Sequence, residues 1–231
     1  MIHVVHSYAR VPPAVAQGFG GISIATVHEV QGKRGAMTAA IKPIYLGMKV
    51  LGTALTVQCQ PGDNLMLHKA IDMVQPGEVI VCDIGEWEGG PWGEMMSVAA
   101  KARGCAGLVI DGYVRDGSQI RDLPFAVFAR GLSVKGTFKE DVGLVNHPIS
   151  CGGVIVQPGD LVLGDDDGVC VVACIDAEDV LSRAQQRDRE EEEARSLFAE
   201  GKSPWELSGF AEVARVKGLR EEGVAKVEDA H

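Results

Sequence analysis

Arg115 and Asp116 set a guanidinium beside a carboxylate, just past an apolar run from Gly107 to Asp111. That run reads as a buried strand, so Gly112-Tyr113-Val114-Arg115-Asp116 lies on the loop where a strand ends. Upstream, Pro91-Trp92-Gly93-Glu94-Met95-Met96 opens a helical segment, and Gly93 and Arg115 are 22 positions apart. One helix and one strand fill that interval. Such a unit can bring a helix start, a guanidinium and a carboxylate to one rim of a sheet. Amides at a helix start have no intrahelical acceptor, and together with an Arg they suit an anionic substrate. A carboxylate suits a hard divalent metal. The plainer alternative is a surface ion pair, Arg115 with Asp111 or Asp116, and Glu94 as an ordinary first-turn charge.

Other reactive residues form weaker patterns. His3, His6, His28, His68, His147 and His231 show no metal-ligand spacing, and none is assigned to a metal. Asp165-Asp166-Asp167-Gly168 resembles a metal loop but lacks the spacing of a calcium-binding loop, and reads as a turn between strands. Gly18, Gly20 and Gly21 do not link a strand to a helix, so a dinucleotide site is not indicated. No lysine lies in a clear apolar pocket pattern, which disfavours Schiff-base chemistry. The six cysteines, Cys59, Cys82, Cys105, Cys151, Cys170 and Cys174, form no C-x-x-C pair and mostly sit in apolar runs. They read as buried thiols in a reducing compartment.

The elements that must position Arg115 and Asp116 alternate between strand and helix. Val50–Gln58 reads as a strand. Pro61-Gly62-Asp63 starts a helix with Asp63 as its cap, and Leu67, Ala70, Ile71 and Val74 give that helix an apolar face. Glu78–Cys82 is the next strand. A loop rich in Gly, Glu and Trp leads to a helix from Glu94 to Arg103, stopped by Gly104. The Gly107–Asp111 strand, the Arg-Asp loop and a strand at Phe125–Phe128 follow. This order predicts an α/β core. Short strands at Val154–Val156, Leu161–Leu163 and Val169–Ala173 are expected to form a small antiparallel layer. Residues 1–20 read as an irregular lead-in, and Ile22–Val30 as a strand or a short helix. From Ala177 the composition becomes charged, and a long helix ending near Gly201 carries Glu190–Glu193. The expected division is a core, 1–176, and a C-terminal helical arm, 177–231. The arm helix reads either as a solvated surface or as an inter-subunit contact.

A chain of 231 residues, 46% hydrophobic and 23% charged, has the composition of a globular protein with one sizeable core. The formal net charge of −10 argues against a nucleic-acid partner, which would need a basic face. It does not bar an anionic substrate, because a local Arg and backbone amides override the global field. No apolar stretch reaches the roughly 18 residues of a membrane helix, and the N-terminus has no apolar signal core. A cytoplasmic location with no membrane partner is expected.

The block from Gly93-Glu94-Met95-Met96 through Lys101-Ala102-Arg103-Gly104 to Gly107–Asp116 resembles the core signature of the RraA-like proteins. Further matches are Gly62-Asp63-Asn64, Pro76-Gly77-Glu78-Val79 and Pro158-Gly159-Asp160 leading to Asp165–Val169, so the likeness spans roughly residues 20–200. The resemblance implies a layered β/β/α core with a C-terminal extension, assembled as a homotrimer or homohexamer with active sites at subunit interfaces. It implies a class II pyruvate aldolase dependent on Mg²⁺ or Mn²⁺. Such an enzyme cleaves 4-carboxy-4-hydroxy-2-oxoadipate to pyruvate and oxaloacetate, or 4-hydroxy-4-methyl-2-oxoglutarate to two pyruvates. An oxaloacetate decarboxylase side activity and a place in aromatic-compound (protocatechuate or gallate) degradation go with it.

By the same resemblance, Gly93 and the amides of Glu94, Met95 and Met96 bind the pyruvate carboxylate, Arg115 binds substrate, and Asp116 holds the metal. Family members often carry Asp or Glu three residues past that Asp, where this chain has Gln119. A second direct carboxylate ligand is therefore not expected, although Gln119 can bind a coordinated water. A neighbouring subunit's acidic residue, Glu191 or Glu192, is expected near the metal's waters, with Glu192 the candidate catalytic residue. Two other readings stay open: a ribonuclease-binding regulator of the RraA type, and another 2-oxo-acid lyase or isomerase.

Overall fold

The structure is a computed structural model that describes residues 3–221. Two helices, α1 (Pro13–Gly18) and α2 (Ile24–Val30), precede strand β1 (Lys42–Pro43). Strand β2 (Val50–Gln58), helix α3 (Leu65–Met73), strand β3 (Glu78–Asp83), helix α4 (Glu94–Ala102) and strand β4 (Gly107–Asp111) then alternate. Next come β5 (Tyr113–Val114), α5 (Gly117–Arg121), β6 (Ala126–Ala129), β7 (Gly131–Leu132), β8 (Leu144–Val145), β9 (Ile149–Cys151) and β10 (Val154–Val156). Strands β11 (Leu161–Asp165) and β12 (Gly168–Val172) lead into helices α6 (Ala177–Ala199), α7 (Pro204–Leu207) and α8 (Phe210–Val216).

The main sheet runs β1-β6-β4-β3-β2-β11-β12, with β8 pairing on β2. Its centre, β2, β3, β4 and β6, is parallel. Both flanks are antiparallel. The parallel strands are near-continuous apolar runs because both of their faces are covered. Alternate residues show this. Leu55, Ile80, Cys82, Leu108 and Ile110 share a core with Leu67 of α3, Met96 and Ala100 of α4 and Ile120 of α5. Ala54, Val79, Val81 and Val109 share the opposite core with Ile149, Cys151 and Val156 of the β9–β10 hairpin. The layers are helices, sheet, hairpin, which is the expected β/β/α order. Each buried Val, Leu or Ile contributes about 1.5–3 kcal/mol relative to exposure. A third core packs Val11, Phe19 and Val27 against Leu161, Leu163 and Val172, with Val180 and Ala184 of α6.

Four local expectations need correction. The lead-in is not wholly irregular, because Pro13 opens α1 at a position where its missing N–H costs nothing. Asp63 does not cap α3; Asn64 occupies that position. The buried Asp63 carboxylate instead accepts from the amides of Leu65 (2.7 Å), Glu140 (2.6 Å) and Asp141 (3.1 Å), tying the distant loop at 139–141 to the helix start. Only β9 and β10 form a separate antiparallel ribbon, while β11 and β12 extend the main sheet beside β2. The last parallel strand starts at Ala126, one residue later than expected.

Residues Met1–Arg187 form one compact unit and Asp188–His231 a second. In the second, Ser203 and Glu206 form a reciprocal cap on α7, and the Trp205 ring meets Phe210 edge-on at 6.3 Å. Positions 222–231 of the expected arm, including His231, lie outside the described residues. Among the described residues no helix is long and apolar enough to cross a membrane.

Candidate active site

Three turns of backbone converge beyond the C-terminal ends of β3 and β4. After Asp111 the chain passes Gly112, where a Cβ would sit 2.5 Å from Ile84 Cγ2, so only glycine lets the strand leave the sheet so tightly. Tyr113–Val114 then pairs in parallel with Gly131–Leu132. The Arg115 amide donates to the Trp92 carbonyl at 2.8 Å, which docks the Arg-Asp loop onto the entrance of α4.

That entrance is itself fixed. The Trp92 side chain is fully buried and stacks on Phe125, with ring centres 6.2 Å apart and planes at 10°. Its Nε1 donates to Ser97 Oγ at 2.7 Å, and Ser97 Oγ donates to the Gly93 carbonyl at 3.1 Å. The start of α4 is thus held by a buried aromatic and a hydroxyl relay. The sequence reading did not single out this Trp92–Ser97 pair; its i,i+5 spacing across a helix start was the available signal.

Gly93 caps α4 in an extended conformation. A Cβ there would come within 2.3 Å of Asp116 Oδ2 and 3.1 Å of Arg115 Cγ. The glycine therefore exists so that the Asp116 carboxylate and the Arg115 stem can lie against the helix start. The Glu94 amide donates to Asp116 Oδ2 at 3.2 Å. Of the three amides expected to face a substrate, this one is already engaged. The Met95 and Met96 amides have no acceptor among the described residues. The Met95 side chain is exposed, whereas Met96 is buried in the helical core.

Asp116 takes a left-handed backbone, φ 56° and ψ 37°, at the N-cap of α5. A non-glycine residue there carries local strain, and such strain gathers at functional sites. Arg115 Nε lies 3.8 Å from Asp116 Oδ2, and both side chains are about two-fifths exposed, at 43% and 40%. The pair is loose and open to solvent. Asp111, the alternative partner for Arg115, is instead bound by Arg130. Gln119 lies in α5 and accepts from its neighbour Ser118 at 2.7 Å.

Glu192 lies in the second unit, paired along α6 with Arg195. The structure thus brings Gly93, Glu94, Met95, Met96, Arg115 and Asp116 together within the first unit. Among the described residues no group of three or more His, Cys, Asp or Glu is placed to hold a metal ion. A donor set of one open carboxylate fits Mg²⁺ or Mn²⁺, since Mg²⁺ is commonly held by one or two carboxylates and keeps several waters. The space against Gly93 that a Cβ would fill is where that carboxylate lies.

The mixed α/β sheet with its covering helices matches the fold of RraA-like structures. The chain belongs to the RraA-like family: residues 21–171 match the model described as Aldolase/RraA. A protein of Halalkalibacterium halodurans named "Putative 4-hydroxy-4-methyl-2-oxoglutarate aldolase" is 41% identical over 157 residues, 68% of this chain and 75% of that protein. The fold is similar to a solved structure from Pseudomonas syringae pv. tomato, with TM-score 0.77, 27% identity, and coverage of 85% of this chain and 97% of that one. Streptomyces coelicolor RraAS2, described as an unusual member of the RNase ES inhibitor RraA family, superposes with TM-score 0.73. It is 29% identical, over 82% of this chain and 99% of that one.

Proposed function

We propose that this protein is a divalent-metal-dependent aldolase that cleaves 4-hydroxy-2-oxo acids to pyruvate and a second carbonyl compound. The substrates we favour are 4-hydroxy-4-methyl-2-oxoglutarate and 4-carboxy-4-hydroxy-2-oxoadipate. One observation carries the reading: Asp116 and Arg115 pack against a glycine helix start that leaves the Met95 and Met96 amides unpaired. The relative from Halalkalibacterium halodurans supports it.

The chemistry makes use of each part. Breaking the C3–C4 bond leaves an electron pair on C3, which is stable only when delocalised onto the 2-oxo oxygen as an enolate. Asp116 is the residue that would hold the divalent ion, which when bound supplies Lewis acidity at that oxygen. The Met95 and Met96 amides, with the positive end of α4, bind the substrate carboxylate. The Arg115 fork donates to the oxygen that gains charge, and its stabilisation grows as the bond breaks. The C4 hydroxyl gives its proton to solvent as the new carbonyl forms, and the enolate takes a proton at C3 to become pyruvate. Oxaloacetate decarboxylation follows from the same enolate stabilisation, with CO₂ as the departing group.

In this reading the enzyme works as a homotrimer or homohexamer. Glu192 of a neighbouring copy orients bound water and aids proton transfer as a positioning residue. Mixing Asp116→Ala subunits with Glu192→Ala subunits checks this. Each alone should be inactive, and mixed oligomers should regain activity. Full activity of Glu192→Ala alone removes Glu192 from the site.

The main experiment is a lactate-dehydrogenase-coupled assay of pyruvate release across several 4-hydroxy-2-oxo acids and oxaloacetate, with and without Mg²⁺. Metal-dependent release supports the aldolase. A second reading, a ribonuclease-binding regulator, draws on the likeness to RraAS2. It gains if no substrate is turned over and the protein binds a ribonuclease.

A further inference from the structure

A polar cavity of about 290 Å³ lies between the N-terminal segment, β2 and α3, with Arg10, Lys69, Asp72 and Asn146 in its wall. It is remote from the candidate active site along the sheet. Glu78, which anchors Arg10, opens β3, whereas the Arg115 loop lies past the far ends of β3 and β4.

Arg10 is unusually well held. Its Nε donates to Glu78 Oε1 at 2.7 Å, and its guanidinium carbon lies 3.9 Å from the centre of the Tyr8 ring. Tyr8 Oη donates to the same oxygen at 2.8 Å, and the Gln75 amide donates to Oε2 at 2.8 Å. The Glu78 side chain is 2% exposed, while that of Arg10 is 36% exposed. One edge and one face of the guanidinium are therefore fixed. Apart from Glu78 and the adjoining Tyr8, the guanidinium has no hydrogen-bond or ion-pair partner among the described residues. A guanidinium fixed in this way is a preorganised fork for a carboxylate.

The rest of the wall carries the opposite need. Asn146 is 4% exposed and takes a left-handed backbone, φ 60°. Its Nδ2 donates to the Val5 carbonyl at 2.8 Å, but its buried Oδ1 has no donor. A buried acceptor without a donor is costly and rare in a folded protein. Asp72 adds a carboxylate, 2.8 Å from Lys69 Nζ. Cations and carboxylates alternate here: Arg10 pairs with Glu78, and Lys69 with Asp72, whose carbonyl also accepts from Arg103. A ligand carrying both signs can meet a group of opposite charge at each end. Pockets for drug-sized ligands begin at about 300 Å³, so this one suits something smaller.

We propose that this cavity binds a small zwitterion of the α-amino-acid class, with its carboxylate on the Arg10 fork and its ammonium towards Asp72 and Asn146. The proposal is independent of the aldolase reading. It is tested on the full chain by calorimetry and ligand-observed NMR. The probes are L-alanine, L-serine and L-glutamate, with propionate and propylamine as the two half-molecules. At least one amino acid should bind with Kd of about 1 mM or tighter, and both halves on the order of tenfold more weakly. Arg10→Lys keeps the charge beside Glu78 but loses the fork, and should weaken amino-acid binding about tenfold. Asp72→Asn, on an exposed part of α3, should weaken amino acids and leave propionate unchanged. It decides the matter if Arg10→Lys does not fold. Asp116→Ala should bind as the wild type does. No binding of any of the three amino acids overturns the proposal, and so does propionate binding as tightly as they do. Loss of binding in Asp116→Ala would also overturn it, by placing the ligand in the active site.

Discussion

Asp111 and Asp116 stand five positions apart at the same edge of the sheet, and the fold treats them in opposite ways. Asp111 has both oxygens occupied, by Arg130 Nε at 2.5 Å and by the Gly152 amide at 2.8 Å, and its side chain is 18% exposed. By accepting from Arg130 Nε, the Asp111 carboxylate raises the pKa of the guanidinium above its ordinary value. Asp116 receives one amide at 3.2 Å, faces Arg115 only at 3.8 Å and is 40% exposed. A carboxylate with a partner on each oxygen holds parts of the chain together. One left half-satisfied beside a loose guanidinium retains capacity for something else. Strand β4 thus ends in an acid that serves the fold, and the loop after it carries one that the fold leaves largely open.

The sharpest way to break this contrast is to remove the available acid. Asp116→Ala should lower metal-dependent pyruvate release by about 10³-fold or more, as expected when a charge-stabilising centre is lost. Its stability in urea should fall by about 1 kcal/mol, the cost of Ala at a left-handed position, with the fold retained. Unchanged turnover at saturating Mg²⁺ would show that Asp116 is structural after all. Arg115→Lys keeps the charge and loses the fork, and should cost on the order of 100-fold in kcat/KM in the same coupled assay. A near-wild-type rate would make the loose pair mere surface charge. Gly93→Ala pushes a methyl into the space of Asp116 Oδ2, so a loss of about tenfold is expected, since small misplacements of catalytic groups are costly. A crystal structure of that variant should show the carboxylate displaced. Asp111→Ala should behave oppositely. It strands Arg130 and the Gly152 amide, and urea unfolding should report a loss of about 1–3 kcal/mol. Turnover per folded molecule should stay within a few-fold of wild type.

The α/β alternation was legible because β2, β3 and β4 are short apolar runs punctuated by Pro-Gly and Gly turns, and the helices between them carry one apolar face. The Arg115–Asp116 loop was legible for the same reason: the end of a strand and the start of a helix are local events. What escaped the sequence was decided over long separations. Asp63 looks like a helix cap because Leu65 follows it, yet two of its three donors come from residues 140 and 141. Arg10 finds Glu78 across 68 positions. The continuous apolar runs of β11 and β12 mark buried strands but not the neighbours they pair with, which is why the sequence alone suggests a separate layer. The engagement of the Glu94 amide by Asp116 was likewise invisible, since it depends on the left-handed turn at Asp116.

That left-handed turn has a consequence for descent. At φ 56° the residues that sit with least backbone cost are Gly, Asn and Asp. Asn and Gly are each a single base change from Asp. A lineage can therefore lose the carboxylate at this position in one step without paying a folding penalty for it. The substitution would end any chemistry that needs the acid while leaving the sheet, the loop and the helix start in place. A scaffold built this way sheds catalysis more readily than it sheds its shape, and its descendants remain free to be selected for what they bind.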